Sequence, residues 1–326
     1  MEALLLALGV LSYVASHWRL FIDASKRSLK AVLLHNGNRY TFIPLAHTVH
    51  LREAYESIKT VLNLINYKDH GSYICVDIKM VNILLGQQSG FTKYPCFLCY
   101  WDSRDRENHW TQKDWQKRNS ITVGDKNIIN EPLVDRKKMI LPPLHLKLGF
   151  LKQFVKALDF EGDCFLYTCN KFKGLSKEKL QAGVFDGPQI RKLIKDKEFT
   201  TSMDEKEKKA WNSFVAVCQN FLGNKKSENY KELIDLMLSH FCELGCYMSI
   251  KIHYINSHLD VFPENLGDMS DEQGERFHQD IRVMEERYQG VWDVAMCSDY
   301  SWSLKRDCPQ KKHSKKSTKR SFLPLK

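Results

Sequence analysis

The stretch between residues 18 and 77 constrains the fold more than any other part of the chain. An apolar run from Trp18 to Ile22 ends at Asp23. A second run, Leu29 to Leu34, leads into Asn36-Gly37-Asn38, and a third spans Tyr40 to Leu45. Asn-Gly between two apolar runs is the strongest short-range signal for a hairpin. Residues 51, 54, 55, 58, 61, 62 and 65 then put apolar side chains at helical spacing. A fourth short apolar run, Tyr73 to Val76, passes straight into Asp77. The expected order is strand, hairpin, strand, helix, strand, with a carboxylate closing the first strand and the last.

Beyond this unit the pattern changes twice. Ile78 to Gln87 reads as a short helix closed by Ser89-Gly90. Residues 91–145 crowd aromatics, charges and prolines together with little periodicity, a composition that needs a staple from outside. From Leu144 to about residue 259 the sequence is helical, in segments 144–158, 176–182, 188–196, 204–222, 227–244 and 248–258. Ser270-Asp271-Glu272 offers an N-cap and an acidic first turn to a last helical region ending near residue 304. The organisation expected is an α/β core over 18–90, a cysteine-containing segment over 91–145, and a large helical insertion over 146–265. A terminal helix over 266–304 returns to the core, and a basic tail occupies 305–326.

Composition excludes several classes. The chain has 43% apolar and 27% charged residues, the balance of a globular protein. Its net charge of +10 is concentrated at one end: residues 305–326 hold nine Lys or Arg against Asp307 alone. Such an arm suits a nuclear address or contacts to a phosphate backbone, and equally a solvated terminus without a partner. The ten cysteines are scattered through a chain too large to need a disulfide scaffold, so reduced thiols are expected. The apolar stretch Ala3 to Ala15 is too short for a bilayer span and lacks a basic residue ahead of it, so residues 1–17 read as a packed segment and no membrane partner is expected.

The alternation of strands, helix and strand-tip carboxylates resembles the ribonuclease H-like fold, in which two Asp side chains sit side by side on neighbouring strands and hold divalent metal ions. The resemblance implies two-metal phosphodiester chemistry with Asp23 and Asp77 as ligands and a third acid from another element. Two sources for that acid separate the alternatives. Glu53 or Glu56, on the helix after the hairpin, resembles the pattern of retroelement ribonuclease H domains. Glu275, or Glu272, in Asp271-Glu272-Gln273-Gly274-Glu275-Arg276-Phe277-His278 resembles the last acidic position of DDE transposases, where a helical domain can precede the Glu. Glu275 is preferred because His278 shares its helix face. The transposase pattern also accounts for the long sequence after Asp77, which a ribonuclease H domain leaves unused.

Cys96 and Cys99 lie at CxxC spacing, half of a tetrahedral zinc site. His109 and His145 are the candidates to complete it, which would pin 91–145 to the first insertion helix; a buried reduced pair within the aromatic cluster is the alternative. His253 and His258, five apart on one helix, do not share a face and read as structural. Cys164, Cys169, Cys242 and Cys246 read as core cysteines. Lys93, Arg104, Arg106, Lys113, Lys117 and Arg118 among Phe91, Tyr100, Trp101, Trp110 and Trp115 are the residue types that neutralise phosphates and stack on unpaired bases. Packing around a zinc site explains those aromatics equally well.

Residues 18 to about 304 thus resemble transposon-derived DDE proteins, and more closely the open reading frames that recur in many copies in invertebrate genomes. The stretches carrying this are Arg19 to Asp23, Leu85 to Arg104, Pro142 to His145, and Asp271 to His278. The resemblance implies Mg2+- or Mn2+-dependent cleavage and joining of DNA by Asp23, Asp77 and Glu275, and a structural Zn2+. It also implies DNA as partner, a homo-oligomeric assembly and a nuclear location. Transposases carry an N-terminal DNA-binding domain, and nothing before residue 18 has that character, so inactive or domesticated relics fall within the resemblance. The remaining alternatives are a retroelement ribonuclease H and a non-catalytic, zinc-stabilised nucleic-acid- or protein-binding module.

Overall fold

The computed structural model describes residues 13–24, 28–37, 40, 42–48 and 51–270, with the single positions 274, 277, 281, 283, 284, 286–288, 296, 299 and 300. Glu272, Glu275, residues before 13 and the tail 305–326 lie outside the described residues.

A mixed five-stranded sheet forms the first half: β1 (Trp18–Ala24), β2 (Leu29–His35), β3 (Ile43–Thr48), β4 (Tyr73–Cys75) and β5 (Met139–Ile140), in the order β3-β2-β1-β4-β5. β1, β2 and β3 pair antiparallel, and β4 runs parallel to both β1 and β5. The central strands are buried on both faces, which explains their near-continuous apolar sequence. On one face Leu20, Ile22, Ala31, Ile74 and Val76 pack against Ile58, Val61 and Leu62 of α1 (Tyr55–Leu64). On the other, Phe21, Val32 and Leu34 meet Phe42, Phe277, Ile281 and Met284. After a short α2 (Tyr67–His70) and β4, α3 (Ile78–Leu84) leaves the sheet with Asp77 as its N-cap.

Two expectations for the sheet change in detail. The hairpin after β2 turns at Asn36-Gly37 with Gly37 in the left-handed region, but pairing resumes only at Ile43, so the connection is longer than a tight two-residue turn. Here Gly37 N–H donates to the Asp268 carbonyl, so the turn is occupied by a contact with the far end of the chain. β5, two residues long, carries no periodicity that sequence reasoning could use.

Between α3 and β5 regular structure nearly disappears; it is limited to the isolated bridges Gln87↔Ile128 and Cys99↔Lys117 and a single 3-10 turn, Arg136–Lys138. Buried Arg118 replaces it. Its guanidinium donates to the carbonyls of Tyr94, Cys96 and Cys99 and to the Asn127 side chain, and pairs with Asp125 at 3.3 Å.

The helical part contains the six segments expected from periodicity, with shifted ends, and two short helices that were not expected, at 163–171 and 197–201. α4 (Pro143–Ala157) starts with Pro at N1, and buries Leu144, Leu146, Phe150, Leu151, Phe154 and Val155. α5 (Asp163–Lys171), α6 (Lys177–Gln181), α7 (Gly187–Ile194) and α8 (Lys197–Thr201) are short. α9 (Glu205–Asn220), opened by an Asp204/Glu207 capping box, and α10 (Tyr230–Leu244) form the long pair; α11 (Ile250–Ser257) completes the set. No helix of the described residues is long and apolar enough to cross a membrane.

The segment after α11 returns to the sheet. Buried Arg19 donates to the carbonyls of His35 and Ser270, and the Cys75 thiol lies 3.7 Å from the Met269 carbonyl oxygen. Gly274 rests on Phe21 so closely that a Cβ there would fall 2.5 Å from the ring. Gly274→Val is therefore expected to cost about 1–3 kcal/mol in chemical denaturation. Combined with Phe21→Ala it should cost less than the sum of the two single changes.

Candidate functional site

Two arrangements of chemically active side chains emerge. The first is a buried cluster of Cys96, Cys99, His253 and His258, whose ligand atoms all lie within 4.8 Å of one another. Cys99 Sγ is 3.3 Å from His253 Nε2 and 3.2 Å from His258 Nε2, and Cys96 Sγ is 3.5 Å from His258 Nε2. A tetrahedral ion with Zn–S of about 2.3 Å and Zn–N of about 2.05 Å requires S···N edges of about 3.6 Å. The donor set and its spacing fit a metal such as zinc. A divalent cation with two thiolates and two neutral imidazoles is also electrically neutral, which suits a site with no solvent contact.

The electrostatics of the four groups point the same way. Hydrogen bonding from the Cys96 thiol, aided by His253 and His258, holds the Cys99 thiol down to about 3 against the cost of burial. Burial pushes the Cys96 thiol well up and lowers His253, which favours the neutral imidazole as a donor there. A bound cation would displace the Cys96 proton.

Local folding explains why these residues meet. The CxxC stretch is a knuckle whose Cys96 and Cys99 carbonyls are held by Arg118, and the Cys96 Sγ accepts from the Leu98 N–H. Phe97 packs on Tyr254 and Trp101 stacks on His253 at 4.6 Å, so an aromatic wall closes the site. On a continuous helix His253 and His258 would diverge by roughly 140°. Here α11 stops at Ser257, and His258, at φ −139° and ψ 45°, has left the helix, so its imidazole swings back toward the knuckle.

This corrects the expected ligand set. Cys96 and Cys99 belong to the cluster, but His109 and His145 do not. His109 Nε2 lies 2.8 Å from the Asp102 carbonyl oxygen, and its ring packs against Trp101 with centroids 5.0 Å apart. His145 sits half-buried in the first turn of α4. Sequence reasoning passed over His253 and His258 by applying helical spacing through a helix end. The usable signal was the H-x4-H pair itself, the complement a lone CxxC lacks. Cys164 and Cys246 are buried as expected, whereas Cys242 is exposed.

The second arrangement is a row of polar groups across the sheet. Arg19, Leu20 and Phe21 of β1 pair with Tyr73, Ile74 and Cys75 of β4. Asp23 lies two residues beyond the last paired residue of β1, Phe21, and Asp77 two residues beyond its partner Cys75, at the N-cap of α3, so the parallel pair runs toward both acids at one end of the sheet. Asp23 pairs in register with Lys30, and Lys30 with His47, so the row extends to β3. Both Asp residues are half-buried, and one oxygen of Asp77 accepts from the Met80 N–H at 2.7 Å, leaving the other to face elsewhere. Glu56 pairs with Lys59 and its side chain is 79% exposed, and Glu53 pairs with Lys79.

Residues 1–134 match a family model described as a domain of unknown function (DUF8703), and residues 143–223 match a second (DUF8704). The first stretch holds Asp23, Asp77, Cys96 and Cys99; the two cluster histidines lie beyond both. No curated protein matches the chain.

Metal analysis of the purified protein should find about one zinc equivalent, retained in His109→Ala and His145→Ala and lost in His253→Ala and His258→Ala. Stripping the metal should lower the melting temperature by more than about 10 °C, since binding free energy at such a site is folding free energy.

Proposed function

We propose that the chain carries a DDE-transposase-like catalytic core on a ribonuclease H-like sheet, with Asp23, Asp77 and Glu275 as the acids that hold Mg2+ or Mn2+ and DNA as the substrate. The observation that supports this reading is the parallel β1–β4 register from Arg19↔Tyr73 to Phe21↔Cys75, which, continued by two residues in each strand, would bring Asp23 and Asp77 to the same end of the sheet. Gly274, against Phe21, supports it further, because Glu275 follows directly in the chain and Phe21 is two residues from Asp23. When bound, such ions activate the attacking oxygen and stabilise the leaving one. The contribution of the chain is to fix the acids: Asp23 by the central strand, and Asp77 by its N-cap bond to Met80.

The ribonuclease H alternative asks Glu53 or Glu56 to face the Asp pair. Glu56 is turned to solvent beside Lys59 and Glu53 is engaged by Lys79, which favours the DDE reading. The Cys2His2 cluster takes the role of a structural Zn2+ staple. All four of its ligand positions come from the protein and all are buried, leaving no open position for a substrate. The basic tail accords with a nuclear location and with non-specific contacts to DNA.

Nicking of supercoiled plasmid by the full chain tests the core. Mg2+- or Mn2+-dependent cleavage is expected for wild type, with at least about a hundredfold loss in Asp23→Asn, Asp77→Asn and Glu275→Gln and little change in Glu56→Gln. Equal cleavage by wild type and Asp77→Asn would sink the catalytic reading, and loss in Glu56→Gln with activity kept in Glu275→Gln would favour a ribonuclease H.

A further inference from the structure

An open cleft of about 310 Å³ is lined by Gln88, Ser89, Phe91, Thr92, Lys93 and Tyr94, from the stretch just ahead of the CxxC pair, with Arg104, Lys126 and Asn127. Its charge is one-sided: three cations and no carboxylate among the lining residues. Lys93 is shared with Asp102 at 3.2 Å, while Arg104 and Lys126 have no carboxylate partner among the described residues. Lys126 instead lies over the rings of Tyr94 and Tyr100, at 5.1 and 5.7 Å. The adjoining depression beyond Tyr94 is bordered by Asp102 and Asp105, so the purely cationic surface ends there.

Two further observations bear on what the cleft can take. Asn127 is 7% exposed, and its Oδ1 accepts from Arg118, which fixes the amide so that Nδ2 is the group left over; that Nδ2 has no acceptor. That donor is shut off from solvent, so Asn127 belongs to the wall of the cleft and holds Arg118 rather than offering a contact to a ligand. At the rim, Phe91 is fully exposed, with its ring available to stack. The cations suit phosphate oxygens, and a bare aromatic face at the rim suits an unpaired base.

We infer that this cleft binds single-stranded nucleic acid, with Arg104, Lys126 and Lys93 on the phosphates and Phe91 stacking on a base. The inference rests on the nucleic-acid reading above only for the class of ligand. An acidic peptide would satisfy the cations but leave Phe91 unexplained.

The test is fluorescence anisotropy with a labelled oligothymidine of about 20 nucleotides, long enough to cover more than one site of this kind. The zinc-replete full chain is used without Mg2+, so binding and cleavage fail or succeed separately and the basic tail is constant. Phe91→Ala should weaken binding about tenfold. Arg104→Ala and Lys126→Gly should each weaken it several-fold and flatten the dependence of log K on log salt by about 0.7. Lys126 sits at a left-handed φ of +49°, a conformation glycine adopts freely, so Lys126→Gly should fold at least as well as wild type. Unchanged melting temperatures with weakened binding carry the inference. Wild-type affinity in Phe91→Ala and Lys126→Gly overturns it, as does tighter binding of a duplex of equal length or equal displacement of the strand by polyglutamate.

Discussion

The contact between the CxxC knuckle and the end of α11 is the constraint on which the middle of this protein depends. Residues 86–138 contain almost no regular structure, and a segment of that kind cannot satisfy its own backbone or bury enough apolar surface to order itself. Its order comes from two buried polar centres. Arg118 gathers the carbonyls of Tyr94, Cys96 and Cys99 from within, and His253 and His258 meet the two thiols from outside. Either centre alone would leave a buried charge or a buried thiolate without compensation.

A second buried arginine does similar work at the sheet. Arg19 reaches both the β2 end at His35 and the returning chain at Ser270, while the Gly37 N–H holds Asp268. The hairpin turn therefore serves as a docking point for the segment that leads to Gly274. Central strands sealed on both faces, a parallel β1–β4 pair, and a late segment whose Gly274 rests on Phe21 together make the sheet a platform rather than an exposed surface.

Much of this was legible in the sequence, and the misses have physical causes. The strand runs, the α1 stripe of Ile58, Val61 and Leu62, and the helices at 143–157, 205–220 and 230–244 follow from periodicity because each buries one face. β5 was invisible because two residues have no period, and α5 because cysteines and aromatics dilute its stripe. The metal cluster was half legible. Cys96 and Cys99 declare themselves by spacing, but their partners come from a helix end where ideal helical geometry no longer applies, and only the tertiary fold decides between four histidines. Arg118, one of many basic residues in its segment, gave no sign that it would be buried.

The cysteine and histidine halves of the cluster are 154 to 162 residues apart in the chain. A ribosome adding about 5–20 residues per second needs roughly 10–30 s to make the second half of the site after the first. For that interval the nascent knuckle holds two thiols with nothing to ligate or shield them, and the segment around it has no other source of order. The timing of synthesis thus makes the youngest form of this protein its most oxidisable one, and protection of the thiols begins only when His258 arrives.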